Sequence, residues 1–411
     1  MKRYFLIATA VIIVMISAGH KKNMTTKTEN VSMQEKIRFV RLSSGEAQMC
    51  SRANRFALHV FKYTIEAVGN KSLTLSPLSM IYSLGMINNG AEGNTSRQIC
   101  KITGFTSGTD SINAFCHKIM SEFGYIDSTT TMDIANAAII NENLKIKDCF
   151  VDALKNYYEA MTDVSNFNKN NIVNKVNVWC AEKTDGMIDN ISPDDAVIIV
   201  NAVYFKGLWK NKFNKADTKK DKFKAADGIV RNVDMMQKTD CEQYAENKTF
   251  SAVSMRYGNG HYSMQIILPK EGKSISDVIE TINKKEWKNI VDNMESGKIN
   301  MMMPRFSIEY AQELKGMFTD MGADDMFNRK KADMSKLCES NAWISSIIHK
   351  AKIEVDEEGT KAAAATGTVT IGAFDIEKAQ TIKFKADRPF LFVITERNTG
   401  MICFIGQYTG I

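Results

Sequence analysis

Five histidines, His20, His59, His117, His261 and His349, are the side chains best suited to acid–base or metal chemistry near neutral pH. None lies close to another along the chain, so they show no metal-ligand spacing. There is no GxSxG elbow to raise a serine nucleophile and no HExxH pair to hold zinc. Gly272-Lys273-Ser274 ends like a phosphate-binding loop, but Ile267 stands where that loop needs its first glycine. Local motifs thus point away from an enzyme, and neither a metal nor a cofactor is expected. A triad assembled only in space stays open at this point.

Eight cysteines, Cys50, Cys100, Cys116, Cys149, Cys180, Cys241, Cys338 and Cys403, are widely spaced and form no CxxC. Several sit in apolar runs, such as Cys403 in MICFIG, which suits buried free thiols. The N-terminus carries its own signal. Met1-Lys2-Arg3 is basic, Tyr4–Ile16 is apolar, and Ser17-Ala18-Gly19 are small, the layout of a cleaved secretory leader over residues 1–19. The apolar run is shorter than the ~20 residues of a membrane span. A secreted, extracellular protein is expected, with no membrane partner. Secretion makes the Asn-x-Ser/Thr sites at Asn23, Asn30, Asn70, Asn94, Asn190 and Asn247 candidates for glycosylation. Disulfide pairing cannot be deduced from these spacings.

The most unusual stretch is Glu357–Phe374, EEGTKAAAATGTVTIGAF. It is too long for a routine connection between strands. Its four consecutive alanines favour helix, while Thr368-Val369-Thr370-Ile371 favours extended chain. Read as a strand, one face carries Thr360, Ala362, Ala364, Thr366, Thr368 and Thr370, all small and uncharged. Lys361 falls on the opposite face. Such a segment can lie in solvent or slide over a hydrophobic core. A plain Ala/Gly/Thr surface loop would not require small residues at every second position.

The elements that must position this segment follow from periodicity. Phe56, Ala57, Val60, Phe61 and Ile65 share one face of a helix that begins near Glu46. Leu73–Leu75 is a short strand. Ser76-Pro77 opens a helix through Met86, Gly90 and Gly93 break it, and Asn94-Thr95 cap the next. Cys149–Ala160 and Asn171–Lys183 are helical, and Ile134–Ile140 is a strand. Ala196–Phe205 is apolar throughout and reads as a buried central strand. Phe250–Tyr257 and Ser263–Leu268 form a hairpin; Ile275–Ile282 and Lys285–Met294 are helical. Asn300–Ile308 is a strand with Pro304 at an edge or bend. Ile347–Val355, Ile382–Lys385, Pro389–Thr395 and Met401–Gly406 close the chain as strands. Helices dominate early and strands late, without βαβ alternation, which predicts an α+β fold with mostly antiparallel sheets and about eight or nine helices.

The 411-residue chain is 44% hydrophobic and 24% charged, which excludes a disordered protein. A net charge of +6 without a concentrated basic stripe argues against a nucleic-acid partner. Lys215, Lys219, Lys220, Lys222 and Lys224 are the densest basic run, interrupted by Asp217 and Asp221. A solvated face explains it better than weak glycosaminoglycan binding.

Separated motifs over residues 46–411 resemble one family. Leu75-Ser76-Pro77-Leu78-Ser79 with Gly90-Ala91-x-Gly93-Asn94-Thr95 is similar to a helix and turn of the serpins. The serpins are large suicide inhibitors of serine proteases. Val200–Trp209 (VNAVYFKGLW), Met303-Pro304-Arg305-Phe306, Ala386–Phe392 (ADRPFLF) and Phe404-Ile405-Gly406 are similar to strands of the same family. The resemblance implies a signal peptide at 1–19, an extension at 20–45 and a serpin domain at 46–411, with a reactive-centre loop at about 357–381. It implies a hinge at Glu357, Gly359, Thr360, Ala362, Ala364 and Thr366, a shutter at Ser76, Ser79, Asn201 and His349, and a breach at Trp209. Counting from the hinge glutamate puts the reactive bond at Ala373-Phe374, or one residue later. Small Ala373 suits elastase-like proteases and Phe374 chymotrypsin-like ones. The function implied is a monomeric, secreted inhibitor that traps the acyl-enzyme by inserting its cleaved loop into the central sheet. A non-inhibitory carrier or chaperone is the alternative. Lys361 departs from the family's usual glutamate, and Gln407–Ile411 lacks the usual proline-containing tail.

Overall fold

The run Val197–Val203 carries a single polar residue, Asn201, so it can be buried on both faces, and it occupies the interior of a sheet. The computed structural model describes residues 39–167, 195–283, 287–360 and 380–411. Among them are eight α-helices: α1 (Ser44–Val68), α2 (Pro77–Gly90), α3 (Gly93–Thr103), α4 (Thr109–Phe123), α5 (Asp148–Tyr158), α6 (Ile275–Asn283), α7 (Trp287–Asp292) and α8 (Lys315–Asp320). The strands are β1 (Leu73–Leu75), β2 (Thr130–Asn141), β3 (Met161–Ser165), β4 (Val197–Leu208), β5 (Lys219–Lys224), β6 (Val230–Glu246), β7 (Phe250–Arg256), β8 (Tyr262–Pro269), β9 (Glu295–Pro304), β10 (Phe306–Glu313), β11 (Ile344–Val355), β12 (Gly359–Thr360), β13 (Ile382–Lys385), β14 (Phe390–Glu396) and β15 (Ile402–Tyr408).

They make two sheets. One has nine strands in the order β1-β15-β14-β8-β7-β6-β9-β13, with β5 paired to β6. The other has six, in the order β10-β11-β12-β4-β2-β3, and β11 also pairs directly with β4. Only β2–β3, β4–β11 and β9–β13 are parallel, so the sheets are mostly antiparallel, as the pattern predicts. Helix α2 is buried on almost every side, packing against β4 and β15, and brings its N-terminus to the six-stranded sheet.

Local chemistry explains several boundaries. Ser43 and Glu46 form a capping box at the start of α1, and Phe56, Ala57, Val60, Phe61 and Ile65 are buried along its core face. Ser76 caps α2, with Pro77 at the first helical position. The Gly258–His261 turn joins β7 to β8.

Three expectations need correction, and one long strand goes unread in the sequence. Helix α2 runs past Met86 to Gly90, because Gly90 fits tightly against Leu337, Met334 and Phe150 and its neighbours supply the contacts that glycine lacks. Helix α3 has Glu92 at its cap with no side-chain bond; Asn94 donates instead to Asp325 Oδ2 at 2.5 Å. The expected strand Asn300–Ile308 is two strands in different sheets, parted at Arg305, whose N–H donates to Asp234 O at 2.8 Å. Finally, β6 is 17 residues long and passes unseen in the periodicity, because both its faces carry polar residues and pairing with β5, β7 and β9 holds it extended. The helix expected at Asn171–Lys183 lies outside the described residues.

Candidate functional site

The basic run settles into a 3-10 turn at Lys215–Asp217 and the outer strand β5. Lys220 pairs with Asp234 at 2.9 Å, and Asp221 accepts Lys385 at 2.7 Å. An outer strand lined with lysines resists pairing with other chains.

Strands β4 and β11 lie side by side in parallel register from Ile344↔Val197 to Lys352↔Tyr204. Beyond that point they part, and β12 enters between them. Thr360 pairs with Val355 of β11 and with Gly207 of β4; Gly359 pairs with Leu208. The first two residues of the small-residue segment are therefore already a strand of the sheet. Thr360 is fully buried, and its hydroxyl lies 2.9 Å from the Tyr257 hydroxyl. Gly359 has φ +150°, and a Cβ there would meet Gly207 O at 2.1 Å, so only glycine fits. Gly207 gives way in the same manner, since a Cβ on it would meet the Tyr257 ring at 2.9 Å.

Trp209 closes this end. It stacks on Tyr257 with centroids 4.4 Å apart and planes 13° apart. Its indole N–H donates to Asp356 O at 2.9 Å and its backbone N–H to Glu358 O at 2.9 Å. Glu357 is buried, and Oε1 accepts from Arg305 Nη2 and from the Thr218 hydroxyl, each at 2.6 Å. Burial works to raise the Glu357 carboxyl, but the bonds from Arg305 and Thr218 outweigh it and hold it below its ordinary value. Glu358 is held low chiefly by its bond from Lys212 at 2.6 Å, with Lys215 at 3.4 Å.

Lower in the sheet the polar groups are neutral. His349, fully buried, faces the start of α2. Its Nε2 accepts the Ser76 backbone N–H at 3.2 Å, so the ring proton sits on Nδ1, 3.2 Å from the Ser79 hydroxyl. Ser79 donates to Ser76 O at 3.1 Å, and Ser76 donates to Cys403 O at 2.8 Å. Burial lowers the His349 pKa from 6.5 to about 3, so the ring is uncharged at neutral pH. Asn201 is in register with His349, yet its amide turns toward β2: Nδ2 donates to Asn136 Oδ1 at 2.6 Å, and Asn136 donates to Tyr158 O at 2.8 Å. Asn201 Oδ1 is buried without a hydrogen-bond partner.

The structure thus joins Ser76, Ser79 and His349 in one network and sets Asn201 beside it in a second. Glu357, Gly359, Thr360 and Trp209 meet at the upper end of the β4–β11 seam, beyond the His349–Asn201 pair that lies midway along it. Ala362, Ala364 and Thr366, the bond Ala373-Phe374, and Asn23, Asn30 and Asn190 lie outside the described residues. Asn70 is exposed, Asn247 Oδ1 accepts from the Thr249 and Phe250 N–H groups, and the Asn94 nitrogen is engaged with Asp325. Sequence reasoning missed Arg305, Thr218, Tyr257 and Asn136 as parts of these sites. Arg305 alone had a signal, its place in the MPRF motif. The seven described cysteines are free, and no cluster of metal-ligating side chains occurs among the described residues.

Two mostly antiparallel sheets packed with helices, with Gly359-Thr360 seated between two parallel strands, define the class of fold as α+β. The chain belongs to the serpin family: the family model, described as serine protease inhibitor, matches residues 51–411. Human Serpin B11 is 31% identical over 389 residues, covering 87% of this chain and 98% of the relative. The thermophilic serpin tengpin, solved in its native state, superimposes with a TM-score of 0.81 at 27% identity, over 90% of this chain and 95% of that one. Human thyroxine-binding globulin, solved with thyroxine bound, matches with a TM-score of 0.79 at 25% identity, over 89% and 98%.

Proposed function

We propose that this serpin is a secreted suicide-substrate inhibitor of serine proteases with elastase- or chymotrypsin-like specificity. The observation that carries the reading is the seating of Gly359-Thr360 between β11 and β4, which marks the path a longer insertion would follow. The protease serine Oγ attacks the Ala373 carbonyl carbon, and the bond to the Phe374 nitrogen breaks. That nitrogen leaves as an amine with a proton from the protease, and an acyl ester remains. Insertion of Lys361 onward would then extend β12 down the β4–β11 seam and carry the ester away from the loop's origin. The small side chains on one face of the segment support this.

Incubation with elastase, chymotrypsin and trypsin followed by denaturing gels tests the reading. A covalent complex with one of the first two is expected, releasing a C-terminal fragment that begins at Phe374 or Asp375. A stable complex whose fragment begins at Ala379 would overturn the assignment. Secreted material beginning at His20 would accord with removal of residues 1–19; glycans at Asn70 or Asn247 would be read in the same mass spectra. A monomer that needs no cofactor is part of the proposal, and any sulfated polysaccharide contact on the β5 lysines would be weak. The carrier reading draws on the similarity to thyroxine-binding globulin. It predicts no covalent complex and no gain in thermal stability when the loop is cut.

A further inference from the structure

Three cations meet at the turn joining β7 to β8. Lys210 follows Trp209, and its backbone N–H donates to Arg256 O at 2.8 Å; Arg256 ends β7. Arg397 follows β14, and its backbone N–H donates to His261 O at 2.8 Å. Gly260 lies between them with φ +96°. A Cβ on it would stand 3.8 Å from Arg256 Cδ, 3.9 Å from Arg397 Nη1 and 4.0 Å from Lys210 Nζ. Side chains from three separate elements thus converge on one point, and all three are half-buried.

No carboxylate pairs with any of them among the described residues. The acids nearby are committed elsewhere. Glu242 takes Lys238 at 2.7 Å. Glu396 is fully used by the N–H groups of Asn398 and Thr399 and the Thr399 hydroxyl. Asp127 accepts from Thr129, Thr130 and the Asn259 N–H. Arg397 is nonetheless fixed in place, donating to Gly260 O at 3.0 Å and Gln243 Oε1 at 3.3 Å. Burial, then Arg256 and Arg397, lowers the Lys210 pKa. Burial, then Arg256, lowers that of Arg397. A solvated face spreads its charges apart; this cluster gathers three cations, on which Glu242 and Glu396 act through space without a direct ion pair among the described residues.

We propose that Lys210, Arg256 and Arg397 form a binding site for an anionic tetrahedral oxygen group, the chemistry shared by inorganic phosphate and a sugar sulfate ester. Two planar guanidinium groups and an ammonium arriving from three directions match three oxygens of a tetrahedral group better than the two of a carboxylate. The site is separate from the β5 lysines, of which Lys220 is already paired with Asp234, while Asp221 of the same strand takes Lys385.

Isothermal titration of the intact protein at constant ionic strength tests this, with sodium phosphate in one arm and sucrose octasulfate in the other. Saturable binding is expected in at least one arm, and the arm that responds identifies the source of the oxyanion. Lys210→Gln removes no hydrogen bond of the fold and should weaken binding about tenfold, as should Arg397→Gln. Lys222→Gln on β5 should leave it unchanged. Absence of saturable binding in both arms would overturn the proposal, as would wild-type affinity in Lys210→Gln, or an equal loss in Lys222→Gln.

Discussion

Two levels of the β4–β11 seam, its upper end and the point midway along it where His349 pairs with Asn201, are held by different physics. At the upper end, where β12 enters, the bonds are charge-assisted: Arg305 to Glu357 at 2.6 Å and Lys212 to Glu358 at 2.6 Å. Arg305 is 46% exposed and Lys212 33%, so water and salt compete for both. At the lower level, midway along the seam, the network of Ser76, Ser79 and His349 is neutral and fully buried. Each bond there is individually modest, but breaking one strands a polar group away from water. A strand entering from the top therefore first meets contacts that solvent can replace, and only later contacts that nothing but another hydrogen-bonding group can replace. On the proposed function, the difference would keep the sheet closed until a segment able to pair on both sides began to enter.

The sharpest break in this comparison is at Thr360. Its side chain is fully buried against Tyr257, so Thr360→Arg would place an unpaired guanidinium there at a cost of several kcal/mol. The variant should be cleaved by the target protease yet form no covalent complex on a denaturing gel. Trapping equal to wild type would refute insertion through this position.

The next largest effect is the acid response of the lower network. An unfolded His349 takes up its proton below about 6.5, whereas the folded ring does so only near 3. Native stability from this group is therefore complete above that upper value and falls as pH drops through the window, by about 1.4 kcal/mol per unit. Urea unfolding of wild type and His349→Gln across the window measures it. The variant should be less stable at neutral pH but show a flatter acid slope; parallel slopes would count against a buried neutral ring.

The smallest effect is expected at the upper end. Glu357→Gln keeps the shape but loses the charge-assisted bonds from Arg305 and Thr218. With Arg305 partly exposed, the loss should be about 1 kcal/mol. The wild-type advantage should shrink in high salt, whereas a salt series on Ser76→Ala should show a constant deficit. A salt-independent Glu357→Gln deficit would erase the contrast between the two levels.

Much of this was legible along the chain. Val197–Val203 could only be an interior strand, because so apolar a run finds no polar face to show to water. Ser76-Pro77 carried its helix start in two residues, since capping is a local bond. Gly359 and the small residues after it announced a segment able to enter a sheet. What stayed hidden depended on partners distant in sequence. Strand β6 has little periodicity of its own and is extended because β5, β7 and β9 satisfy its backbone. Arg305 looked like part of a continuous strand, and only the tertiary fold separates β9 from β10 and turns its guanidinium to Glu357.

By itself the sequence determined the apolar pattern, the caps, the α+β class, and the run of small residues that begins at Gly359, because these rest on interactions within a few residues. The tertiary structure alone decided that Ser76 and Ser79 share a buried ring with His349, and that Asn201 turns away to Asn136. It also gathered Lys210, Arg256 and Arg397 around one glycine. Burial and the convergence of distant strands set those distances, and neither is written in local spacing.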